Sequence, residues 1–208
     1  MTSNIQDIRS SVKKIAWGFF LIHMHINLGP VDILPDWAGF ALMVSVLTFV
    51  VAFEEDIKKL RIVGISLLVW NVIAWAGSVF GIEAYLGYVA VIPAIGRMYF
   101  FYKLFCELAG LSDKYCCSYG SVFRFLGIAN AVINALSATV SYLTLIFADQ
   151  EIFIVVSMFV LAIALIVMLF SMITLFRFSN ALKDMPDSNY SGDYISDNIN
   201  NCGDGTAL

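Results

Sequence analysis

Charge is what this sequence has least of. Only 13% of its 208 residues are Asp, Glu, Lys or Arg, about half the share in soluble domains, and the balance leans acidic, with a formal net charge of −4. Without a basic excess, nucleic acid is excluded as a partner, because binding phosphates needs a basic face. The sequence also lacks CxxC, HExxH and phosphate-loop motifs and offers no nucleophile–base–orienter set, so no cofactor, metal site or catalytic residue is expected. Its four cysteines, Cys106, Cys116, Cys117 and Cys202, have neither zinc-site nor disulfide-framework spacing and read as reduced thiols.

What is abundant is apolar: 60% of the residues are hydrophobic, more than a water-soluble fold of this size can hide. A spanning helix needs about 20 mainly apolar residues. Five segments meet this directly, at approximately Ile33–Phe53, Ile62–Phe80, Ala84–Phe105, Val122–Phe147 and Ile152–Phe176. A sixth, Ile15–Leu28, ends at Gly29-Pro30 and approaches spanning length if extended back over Ser11–Lys14 with the lysines snorkelling. A cleaved signal peptide is the rival reading of this stretch, but His23, His25 and Asn27 interrupt it and no small-x-small cleavage site follows.

The expected fold is therefore an all-α, polytopic transmembrane bundle of about six spans in one domain, residues 1–183. An acidic, polar, disordered tail follows at 184–208. Basic residues near span ends prefer the cytoplasm. With both termini inside, Arg9, Lys13, Lys14, Lys58, Lys59, Arg61, Lys103, Lys114, Arg124, Arg177 and Lys183 all face the cytoplasm, while the outer connections carry only acids, Asp32, Asp36, Glu83, Asp149 and Glu151. Arg97, inside the fourth span, fits neither side.

The outer turn between the first two spans reads INLGPVDILPDWAGF. Here Asp32 can cap the second helix, Pro35 is tolerated in its first turn, Asp36 favours the positive end of the dipole, and Trp37 suits the membrane interface. The core DILPDWAGF resembles a DILPDxxGY segment near the start of small, uncharacterised multi-spanning membrane proteins of Gram-positive bacteria, with Phe40 in place of the tyrosine. The resemblance covers about a tenth of the chain. It implies a polytopic membrane protein and carries no activity, cofactor or catalytic residue.

An ionisable residue within a span is costly and marks a functional site by default. Arg97 shares a helical face with Ala90, Pro93 and Ala94, which would turn it into the bundle; the alternative is that it snorkels to the cytoplasmic surface as an anchor. In the fifth span Asn130, Asn134, Ser137, Ser141 and Thr144 form a narrow stripe beside Gly127, either as packing glue or as the wall of a polar cavity in which Arg97 meets an anion. His23 and His25 point in opposite directions on a helix and cannot share a metal, whereas His23 and Asn27 fall on one face. Asn71 and the Gly77–Gly81 pair complete the polar and small positions in the spans. A hydrolytic centre built from His23, His25, Asp32 and Asp36, which could converge at the outer surface where the first helix breaks, is the third reading.

Candidate ligand-binding positions are thus Arg97, Asn134, Asn130, His23, Ser137 and Ser141, with Asp32, Pro35 and Asp36 as a helix-capping turn. Two functions stand almost level. One is an accessory or regulatory protein that contacts another membrane protein, or itself, in the cell membrane. The other is small-solute binding or transport.

Overall fold

A computed structural model describes residues 5–23, 27–28, 31–32, 36–50, 54–80, 91–115, 117–146 and 151–184. These form six helices, α1 Ile5–His23, α2 Asp36–Val50, α3 Glu54–Val79, α4 Val91–Lys114, α5 Gly120–Ile146 and α6 Glu151–Ala181, the last continued by a 3₁₀ turn, Leu182–Asp184. Each helix packs on the next in sequence and α6 returns to α1, so the six close into a ring. Short connections between long helices favour such antiparallel neighbours. The fold is all-helical, as its composition implies.

The first helix differs from expectation. It starts at Ile5 and ends at His23, and beyond it Asn27–Leu28 pairs antiparallel with Val31–Asp32, in the register Asn27↔Asp32 and Leu28↔Val31. The early start follows from Ile8, Val12, Ile15, Phe19 and Ile22, all buried at three- to four-residue spacing, an amphipathic repeat that a search for continuous apolar runs passes over. Because Asn27 lies in the paired segment, it shares no helical face with His23. Ile33–Pro35, on which the capping turn was placed, and His25 lie outside the described residues, as do the side chain of Asp32 and the tail from 185 onward.

Where α1 and α2 cross, glycines replace side chains: a Cβ on Gly18 would sit 2.7 Å from the Gly39 carbonyl oxygen, and one on Gly39 would sit 2.5 Å from that of Gly18. The ring interior is aromatic. Phe19, Phe40, Phe100, Phe101, Phe105, Phe123 and Phe178 are fully buried, and edge-to-face contacts such as Phe19–Phe101 at 5.3 Å and Phe123–Phe178 at 5.2 Å link them.

Unlike a soluble bundle, the helices are apolar on their outer faces as well as in the core. α1 and α4, which carry Arg9, Lys13, Lys14, Arg97 and Lys103, hold long rows of buried residues, whereas Ile92, Met158, Phe159 and Ile166 are each more than 65% exposed. Lys58–Val79, Gly120–Val140 and Val155–Ala181 are long and apolar enough to cross a membrane, and Asp36–Thr48 is a shorter apolar helix. Such faces are compatible with an integral membrane protein, since a bilayer is the solvent that leaves them at no disadvantage.

Candidate functional site

Three helices build one polar cluster. Asp36, first residue of α2, places Oδ2 3.1 Å from Arg97 Nη2 on α4, and the same nitrogen donates to Asn71 Oδ1 on α3 at 3.1 Å. Asn71 is buried and its Nδ2 donates to the Leu67 carbonyl at 2.7 Å, which aims its oxygen at the arginine. The guanidinium also stands 5.7 Å from the ring centre of Phe40, within cation–π range. Arg97 and Asp36 side chains are 27% and 14% exposed, so the pair is largely withdrawn from solvent and each charge offsets the desolvation of the other.

Beside this pair the indoles of Trp37 and Trp75 meet edge-on at 6.5 Å, and the Trp37 Nε1–H is buried with no hydrogen-bond acceptor, a rare condition for an indole. Arg97 thus turns into the bundle and towards the start of α2. Six residues on, about 9 Å along α4, Lys103 reaches the other way and bridges Asp56 near the start of α3 and Glu107, each at 3.3 Å. Fifteen residues of α3 separate Asp56 from Asn71, about 22 Å. Along α4 the two levels of ion pairing therefore bracket Phe100 and Phe101.

The Asn/Ser stripe has other partners. Asn130, 3% exposed, donates to the Leu126 carbonyl at 2.9 Å and to Ser171 Oγ on α6 at 3.1 Å, and Asn134 donates to the Asn130 carbonyl at 2.8 Å. Ser137 is half-buried; the side chains of Ser141 and Thr144 lie outside the described residues. Gly127 lets α5 approach α4, a Cβ there falling 3.3 Å from the Tyr102 carbonyl oxygen. The described hydrogen bonds therefore join Arg97 to α2 and α3, and the asparagines to their own helix and α6.

His23 stacks on Phe19 at 4.2 Å, and its Nδ1 lies 2.8 Å from the Phe19 carbonyl oxygen. A carbonyl only accepts, so Nδ1 carries the proton. Among the described residues no group of three metal-ligating side chains converges. Three features escaped the sequence: Ser171 as the partner of Asn130, the Gly18–Gly39 crossing, and the joining of Asp36 to Arg97. Only the last had a signal, two opposite charges within apolar surroundings.

Comparison with family models, curated proteins and solved structures returns no match.

Proposed function

We propose that this chain is a multi-pass protein of the cell membrane, crossing six times with both termini in the cytoplasm, and that it acts as an accessory or regulatory component through lateral contact with other membrane proteins. The Arg97–Asp36–Asn71 cluster carries this reading. Its strongest cation is already neutralised inside the bundle, and the amide of Asn130 bonds a neighbouring helix. Polar groups used in this way hold helices together and leave the apolar outer faces to meet lipid or a partner. The orientation is supported by the end-to-end arrangement: the basic start of α1 meets the end of α6 through Ser179 Oγ and the Arg9 carbonyl at 3.3 Å, and Lys103 joins the start of α3. The likeness of DILPDWAGF to its counterpart in small multi-spanning proteins of Gram-positive bacteria agrees with a polytopic membrane protein.

The test is site-specific photocrosslinking in native membranes from exposed α6 positions, Phe159 and Ile166. One discrete heterologous adduct from these sites, and none from buried Phe178, is the expected result. Adducts only with lipid or with copies of the chain would overturn it.

Small-solute binding is the second reading, favoured by the acceptor-free Trp37 N–H beside the ion pair. It requires that Arg97→Gln and Trp37→Phe abolish ligand-induced stabilisation or uptake while expression stays normal.

A further inference from the structure

On α1, Gln6, Arg9, Ser10 and Lys13 line an open cleft of roughly 210 Å³ on the side turned away from the core. At about 100° per residue, these four and Trp17 fall within one arc of about 100°, opposite the buried row Ile8, Val12, Ile15 and Phe19. Asp7 lies outside that arc, so the cleft combines two cations with amide and hydroxyl donors and no carboxylate. Arg9 Nε is buried with no hydrogen-bond partner, an unsatisfied donor at the base of the arginine's guanidinium. One turn above Lys13 stands Trp17, 51% exposed and held edge-on by Phe20 at 5.8 Å and by Phe176 of α6 at 5.9 Å.

We propose that this cleft binds the phosphate-bearing headgroup of an anionic phospholipid, with Arg9, Lys13, Ser10 and Gln6 on the phosphate and Trp17 against the glycerol and upper acyl region. The order along the helix selects a lipid over free phosphate: the cations and donors form one layer, and the aromatic surface follows about 6 Å further along the axis, the sequence of environments met on passing from headgroup to acyl chain. In the orientation proposed above, on which this inference rests for the choice of leaflet, the site serves the cytoplasmic leaflet.

The full chain in nanodiscs of phosphatidylcholine, titrated with phosphatidylglycerol and followed by thermal unfolding, tests it. Wild type should be stabilised by phosphatidylglycerol, with the half-saturating fraction raised about tenfold or more in Arg9→Gln/Lys13→Gln and hardly at all in Lys58→Gln/Lys59→Gln, which removes as much charge from elsewhere. Equal loss in both double variants would reduce the effect to surface potential. No response to phosphatidylglycerol, or the same stabilisation by inorganic phosphate, would also overturn the lipid site. Both nanodisc leaflets carry the same lipids, so this titration reads the cleft whichever way the chain is inserted; a reversed orientation would appear only in thiol labelling.

Discussion

Arg97 and Asp36, 61 residues apart in sequence, meet with Nη2 3.1 Å from Oδ2, and the contact ties the start of α2 to the interior of α4. Removing one partner leaves the other charge in a poorly solvated place, while removing both leaves a polar but neutral pair. Arg97→Gln and Asp36→Asn should each lower stability by about 1–3 kcal/mol, less than for a fully enclosed pair because the arginine remains partly exposed. The Asp36→Asn/Arg97→Gln double variant should cost clearly less than the sum. Thermal unfolding in detergent measures this, and additive losses would mean that the two charges do not interact.

The buried Asn130–Ser171 bond makes a second, separable claim. Asn130→Ala breaks a bond between α5 and α6 and should cost about 1 kcal/mol, whereas Asn134→Ala removes only a bond to its own helix and should cost less than about 0.5 kcal/mol. A cycle of Asn130→Ala with Ser171→Ala should show coupling of about 0.6 kcal/mol. If Asn134→Ala proves the more damaging, the stripe has a partner other than α6.

Much of this architecture was legible in the sequence because long apolar helices advertise themselves one segment at a time. The long apolar runs behind α3, α5 and α6 need no knowledge of their neighbours, and Arg97 declares its cost from its surroundings alone. Pairings are different, since nothing local in α4 names Asp36 and nothing in α5 names Ser171. The start of α1 was hidden for another reason: Arg9, Lys13 and Lys14 interrupt the run although Ile8, Val12 and Ile15 form a continuous buried face. Gly18 and Gly39 each look like ordinary glycines in apolar sequence, and their importance lies in a crossing that brings their backbones together.

That crossing predicts a contrast between glycines. Gly18→Ala and Gly39→Ala each force a methyl group against a facing carbonyl oxygen at under 3.0 Å, so α1 and α2 must separate, at a cost of about 2 kcal/mol or more. Gly110→Ala in α4 meets nothing within 4 Å and should be neutral or stabilising by up to about 1 kcal/mol, since alanine is the better helix former. Unfolding temperatures of the three variants in one detergent decide the matter. Equal responses would show that the two backbones are not in contact.

The proposed orientation yields the most direct test, because each end of the bundle has an exposed, described position. Phe80, 78% exposed, follows the end of α3, on the side where the connections carry acids and no Lys or Arg. Lys59 and Ser118 are exposed near the starts of α3 and α5, on the side where basic residues gather. With the four native cysteines replaced by serine, Phe80→Cys should react with a membrane-impermeant maleimide on intact cells, while Lys59→Cys and Ser118→Cys should react only after lysis. The physical basis is the retention of Lys and Arg at the cytoplasmic face during insertion. The reverse pattern would invert the bundle, and labelling of Lys59→Cys and Ser118→Cys from opposite sides would break the alternation of spans between them.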